Sequence, residues 1–275
     1  MTFLPPAKRF DWSNLGIRVA SATVLVPAVL AAVWFDGWAF LVMVAVAVAL
    51  LAIEWGGMSA PNAPVRVATA ITVAALAGIF PAHVTNFEVG WAVMALGAVG
   101  AALFARGVSE RPADAAFGVF YIGAPCLCLV WLRQMPQGEW WSLMLFVIVW
   151  SADISAFAVG NLLKGPKLWP RFSPNKTWSG FVGGLIGSAM TGAAMSFAPP
   201  FVLNPVAAMV IGLVGGLATM AGDLWESMLK RRFGVKDSGD LIPGHGGLLD
   251  RVDGLMFAVV VVAAARLINH LGWDH

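Results

Sequence analysis

Val206–Gly222 reads VAAMVIGLVGGLATMAG, and the residues that follow, Asp223–Arg232, read DLWESMLKRR. The first stretch carries no charge and shows no alternation of apolar and polar residues. Extended back to 203, it reaches the about 20 residues that a helix needs to cross the hydrocarbon of a bilayer. The second stretch is charged from its first residue. A spanning helix that ends on an aspartate therefore organises this part of the chain.

Working outward, the same pattern recurs at 16–35, 38–55, 65–81, 89–105, 116–132, 140–160, 180–197 and 252–271. Together with 203–222 these make nine candidate spans. Pro27 and Pro125 fall inside spans, where membrane helices tolerate proline. The bulk numbers agree: of 275 residues 59% are apolar and 12% charged, and the mean hydropathy is +0.80. A soluble domain carries about 25% charged residues. A water-soluble enzyme and a disordered chain are excluded, and barrel strands would alternate in short segments. The expected fold is all-α: a polytopic transmembrane helical bundle of about nine spans. The N-terminal MTFLPPAKRFDWSN has no signal-peptide cleavage region, so the first span is expected to be retained.

Lys and Arg accumulate on the cytoplasmic side of membrane proteins. With the N-terminus cytoplasmic and the C-terminus outside, all of the 17 Lys and Arg except Arg133 and Arg266 fall on the inner side. A bacterial inner membrane location is expected. The net charge of +2 is too small to imply nucleic acid. Trp34, Trp38, Trp55, Trp91, Trp140 and Trp141 sit at span ends, as in an interfacial belt. Cys126 and Cys128 are two apart in an apolar run, a spacing that suits neither a disulfide nor a metal clip.

Residues 1–115 read as transmembrane scaffold. Residues 116–275 hold the chemistry, in two inner segments at 161–179 and 223–251. On a continued helix Asp223, Ser227 and Lys230 share one face. Asp250 and Asp253 open the last span, entered through PGHGG, where glycines surround His245 and let backbone approach a ligand. Helix capping accounts equally well for either acid alone, as a solvated helix end does for Asp223. The density of acids among Lys230, Arg231, Arg232, Lys236 and Arg251 goes further, because a plain basic loop needs no acids. Mg²⁺ takes carboxylate and phosphate oxygens, while Lys and Arg take the remaining phosphate charge. In the earlier segment Lys167, Ser173, Asn175, Lys176 and Thr177 suit phosphate or simple headgroup anchoring. Asp153, inside the sixth span, is a functional candidate by its position, with Ser151 and Ser155 able to solvate it. From the residues alone the chain is a polytopic membrane protein with a metal- and phosphate-competent inner face, and the substrate stays open.

The segment Ser227–Asp253, SMLKRRFGVKDSGDLIPGHGGLLDRVD, closely resembles the signature of phosphatidate cytidylyltransferases. Ser227, Lys230, Arg231, Lys236, Asp237, Gly239, Pro243, His245, Gly246, Gly247, Asp250, Arg251 and Asp253 fall at that family's spacing. Asp153–Gly180 resembles its second block, with Gly160, Lys167, Ser173, Pro174, Lys176 and Thr177 in place. Phe157, Asn161 and Ser179 depart from it. The resemblance implies that CTP and phosphatidate give CDP-diacylglycerol and pyrophosphate with Mg²⁺, in phospholipid biosynthesis. It implies Asp223 and Asp250 as metal ligands, with Asp253 and Asp153 as second choices and a second cation as an option. Lys176, Lys230, Arg231, Lys236 and Arg251 would bind phosphates, and His245 would donate to a phosphate oxygen. Ser173, Asn175, Thr177, Ser227, Gly246, Gly247 and Lys167 complete the substrate site. A homodimer is compatible with this reading. The competing expectations are a polyprenyl-phosphate transferase using a sugar nucleotide, and a transporter, which would spread ionisable residues through all the spans.

Overall fold

A computed structural model describes residues 12–35, 37–107, 111–199, 203–242 and 246–272, with no statement made of the side chains of 12–22 and 271–272. The expectations for Lys8, Arg9 and His245 lie outside the described residues. Among them the chain forms nine helices and one short hairpin: α1 (Trp12–Phe35), α2 (Gly37–Ser59), α3 (Pro64–Val84), α4 (Phe87–Phe104), α5 (Ala113–Gln134), α6 (Gly138–Leu163), β1 (Lys167–Trp169), β2 (Ser173–Thr177), α7 (Trp178–Met195), α8 (Pro205–Arg232) and α9 (Leu249–Gly272). Each apolar run becomes a helix because a backbone in hydrocarbon must satisfy its own hydrogen bonds. Seven of the described helices, α2 to α6, α8 and α9, are long and apolar enough to cross a membrane. The protein is a polytopic helical bundle.

Consecutive helices pack as antiparallel neighbours, α2 on α3, α3 on α4, α6 on α7, α7 on α8 and α8 on α9, while α5 joins the two halves through α3, α4 and α9. The larger core gathers Leu51, Trp55, Ile71, Met94 and Ile122. The smaller one gathers Leu132, Trp141, Met144, Leu145 and Ile148 with Val262. Apolar side chains such as Val73, Leu96, Ile186 and Met190 remain exposed, as lipid-facing positions require. Between lipid-solvated helices burial supplies little drive, so close approach matters. At the α7–α8 crossing Gly192 faces Gly212, and a Cβ on Gly212 would lie 3.0 Å from Gly192 Cα.

The two arginines assigned to the outer side meet at one place, the α5–α6 turn. Arg133 pairs with Glu139 at 3.5 Å and its Nε donates to Val33 O at 2.6 Å. Arg266 Nη2 donates to Pro136 O at 3.2 Å. The tryptophan expectation needs correction. Trp34 and Trp38 are exposed, but Trp55 and Trp141 are fully buried. Trp55 donates from Nε1 to Asp114 O at 3.0 Å and packs against Phe117, Tyr121 and Phe233. A helix end covered by neighbouring helices turns an indole inward, where its N–H finds a carbonyl.

Candidate active site

At the basic end of the bundle α8 does not stop at Gly222. It continues through DLWESMLKRR to Arg232, and α9 begins at Leu249. The extension places Asp223, Glu226 and Lys230 on the side that meets α9. The helices approach closely there because Gly222 has no side chain: a Cβ would lie 3.0 Å from Gly254 Cα. Asp253, on α9, lies close enough to feel the charges of both Asp223 and Glu226. One turn nearer the connection, Lys230 pairs with Asp250 and also donates to Glu226 Oε2 at 3.0 Å.

Asp250 is held from a second direction. Ser238 donates to its Oδ2 from both the backbone N–H (3.1 Å) and the hydroxyl (2.9 Å). The connection turns back on itself just before α9, with Ile242 and Gly246 exchanging two backbone hydrogen bonds at 2.9 and 3.1 Å. Gly246 has φ +84°, a conformation open to glycine at no steric cost. A Cβ on Gly247 would press on Asp250 Oδ2 at 2.9 Å.

The earlier segment folds as an antiparallel hairpin in which Lys167 pairs with Thr177 and Trp169 with Ser173. Its second strand leads straight into α7. Thr177 caps that helix by accepting from Gly180 N at 3.1 Å. Ser179, a departure from the resembled pattern, accepts from Gly165 N at 3.2 Å and so ties the end of α6 to the start of α7. Between α6, the hairpin, α7 and α8 lies a cavity of about 710 Å³, lined among others by Asp153, Asn161, Lys164, Lys167, Asn175, Lys176, Thr177 and Asp223. Lys176 reaches across it to the carboxylate of Asp223. Asp153 lies close enough to feel the charges of both.

The structure thus brings Asp153, Lys167, Asn175, Lys176, Thr177 and Asp223 to one cavity, and Asp223, Glu226, Lys230, Asp250 and Asp253 to one helix pair that shares Asp223 with it. Ser173 begins the second strand, and Ser227 sits on α8 beside Glu226, half-buried. Arg231, Lys236 and Arg251 are exposed at the same end, and Arg231 donates to Val235 O at 3.3 Å. Asp223 meets Asp253 on α9, while Asp250 is engaged by Lys230 and Ser238.

Among the described residues no three His, Cys, Asp or Glu side chains stand together as a finished metal cage. Mg²⁺ does not need one, since it binds through one or two carboxylates plus substrate phosphates and water. The donors present fit it. Among the described residues Glu226 Oε1 is buried without a hydrogen-bond donor, and the charges of Glu226 and Asp253 act on one another. Two carboxylates facing each other out of water repel, and a hard cation between them offsets that.

Two acids join the site beyond those the sequence singles out. Glu226 lies within DLWESMLKRR, and its i, i+4 step to Lys230 is the signal that places it on the same face. Glu54 lies in the scaffold half, where a lone carboxylate in an apolar span is itself a signal. It is 3% exposed and it reaches the basic end of the bundle. Its Oε1 accepts from Leu248 N and its Oε2 from Leu249 N, both at 2.7 Å.

The cytidylyltransferase family model matches residues 16–268. A curated protein of Brucella melitensis, named phosphatidate cytidylyltransferase, is 49% identical over 162 residues, 57% of this chain and 56% of that one. A protein of the same name from Rickettsia bellii is 30% identical over 263 residues, 93% of this chain and 92% of that one. Another from Staphylococcus haemolyticus is 42% identical over 149 residues, 53% of this chain and 56% of that one. The chain thus spans little more than half the length of the Brucella relative it matches.

Proposed function

The chain belongs to the cytidylyltransferase family, and we propose that it makes CDP-diacylglycerol and pyrophosphate from CTP and phosphatidate. The observation that carries this reading is the Lys176–Asp223 contact, which joins a lysine-rich cavity at the end of the spans to the acids of α8 and α9. A lipid phosphate at headgroup level and a nucleotide from the water phase can meet only at such a border. The basic end of the bundle is read as cytoplasmic, in a bacterial inner membrane.

The chemistry asks little covalent work of the protein. An oxygen of the phosphatidate phosphate attacks the α-phosphorus of CTP. The bond from that phosphorus to the bridging oxygen breaks, and pyrophosphate leaves with the electron pair. The nucleophile is already ionised, so no general base is required. The protein must bring two polyanions together and hold them in line. Lys167 and Lys176 would take phosphate oxygens in the cavity, with Asn175 and Thr177 beside them. Arg231, Lys236 and Arg251 would draw the triphosphate from water. Asp223 and Asp250 would supply carboxylate oxygens to Mg²⁺, with Glu226, Asp253 and Asp153 nearby. When bound, the ion neutralises charge on the triphosphate and on the leaving pyrophosphate. Each chain carries all of these residues, so this reading does not require a second copy.

The test is direct. Membranes containing the protein, given labelled CTP, phosphatidate and Mg²⁺, are expected to form CDP-lipid, and Asp223→Ala or Asp250→Ala to abolish it. Absence of product with the wild-type chain, or turnover of polyprenyl phosphate with a sugar nucleotide instead, overturns the proposal.

A further inference from the structure

The start of α9 carries no capping side chain of its own. The residues before Leu249 are Gly246, Gly247 and Leu248, whereas an N-cap position ordinarily holds Ser, Thr, Asp or Asn. The first amides of a helix nevertheless need acceptors. Here both are served from a distant helix: Glu54 of α2 accepts from Leu248 N with one oxygen and from Leu249 N with the other. Glu54 Oε2 also stands 3.3 Å from the Ser238 hydroxyl, whose single proton it shares with the nearer Asp250 Oδ2 at 2.9 Å. That hydroxyl and the Ser238 N–H are the groups that hold Asp250 Oδ2.

Glu54 therefore fixes Asp250 from two sides. It pins the backbone of the two residues that immediately precede Asp250, and it holds the serine that orients its carboxylate. Glycines make room for this arrangement. A Cβ on Gly239 would lie 3.1 Å from Glu54 Cγ. A negative charge at this helix end is favoured by the helix dipole, which helps to explain a buried carboxylate whose partners are two backbone amides and a serine.

We propose that Glu54 is a positioning residue for the cytidylyl transfer: from the N-terminal half of the bundle it sets the place of Asp250. The proposal rests on the role given to Asp250 above. It makes α2 part of the catalytic apparatus. Glu54→Gln is the informative change, because it keeps the shape but replaces one acceptor oxygen by an NH₂ that confronts a backbone N–H.

Two measurements test it on the full-length protein in detergent. The first is turnover of CTP and phosphatidate as a function of Mg²⁺. Loss of a residue that supports a metal ligand costs about 10–100-fold in metal affinity or activity. Glu54→Gln is therefore expected to lower kcat or raise the Mg²⁺ needed for half-activity by about tenfold or more, with KM for phosphatidate unchanged. Ser238→Ala is expected to shift the same parameters in the same direction. The second measurement is amide hydrogen exchange over 246–253, which needs no activity. Faster exchange at Leu248 and Leu249 is expected in Glu54→Gln, with protection elsewhere in α9 retained. Wild-type kinetics and Mg²⁺ dependence in Glu54→Gln, beside an inactive Asp250→Ala, overturn this inference and leave the function reading standing. An active Asp250→Ala overturns both. If the wild-type chain makes no CDP-lipid, the function reading fails and takes the catalytic role of Glu54 with it, whereas unchanged exchange at 248–249 in an active Glu54→Gln overturns the positioning alone. A Glu54→Gln protein that loses protection over the whole of α9 has lost its fold rather than a local clamp, which also counts against the inference.

Discussion

Lys176, on the second strand of the hairpin, pairs its ammonium with the carboxylate of Asp223, 47 positions later on α8. The contact lies in the cavity wall and links the two polar segments of the chain. On the proposed function, the lysine would pass to a phosphate oxygen and the aspartate to the cation.

Removing that lysine tests the link. Lys176→Met is expected to cost about 10²-fold in turnover, the scale of losing one preorganised donor to developing charge. Lys176→Arg, which keeps the charge but not the shape, is expected to recover part of it. Full activity in Lys176→Met would remove the lysine from the mechanism.

Glu226 offers a test of the cation. Its buried Oε1 lacks a donor among the described residues, and the charge of Asp253 lies nearby. Chelation with EDTA is expected to abolish CDP-lipid formation, and Mg²⁺ to restore it. Glu226→Gln places an amide donor against Asp253 and is expected to need more Mg²⁺ for half-activity. A chelated enzyme that keeps its rate would sink the metal assignment.

Thr177 couples a helix cap to the cavity wall. Loss of an N-cap hydroxyl costs about 1 kcal/mol. Thr177→Val is expected to lower the thermal midpoint in detergent and to weaken substrate binding, while Thr177→Ser keeps both. An unchanged midpoint in Thr177→Val would mean the cap is dispensable.

At the opposite end of the bundle the consequence is purely structural. Arg133→Met leaves Val33 O without its donor and Glu139 without its partner. The expected loss is about 1–3 kcal/mol of stability, read as a lower thermal midpoint, with turnover per folded molecule unchanged. Reduced turnover in correctly folded Arg133→Met would show that the outer clasp reaches the active centre.

Packing between α7 and α8 provides a control away from the charged residues of the site. Gly212→Val drives a side chain into Gly192 and the backbone of α7. Overpacking of this kind costs about 1–3 kcal/mol, and thermal melting in detergent measures it. A midpoint equal to that of the wild type would mean the two helices can separate freely.

The helices were legible in the sequence because hydrocarbon leaves a long apolar run no other way to pair its backbone. The nine runs foreseen coincide with the nine described helices to within a few residues at most ends, α8 being the main exception. The shared face of Asp223 and Lys230 was legible because a helix fixes which residues lie together, but the partner Lys230 takes on that face is Glu226. What the sequence could not contain was which faces meet. That Asp223 answers to Lys176 and Asp253, that Trp55 and Trp141 turn inward, and that Glu54 caps a helix 195 positions away all follow from how helices dock. Docking depends on small residues opposing one another, Gly222 against Gly254 and Gly192 against Gly212, and such complementarity exists only between surfaces. One-dimensional pattern decides what each segment becomes; only the packed bundle decides whose charge each segment sees.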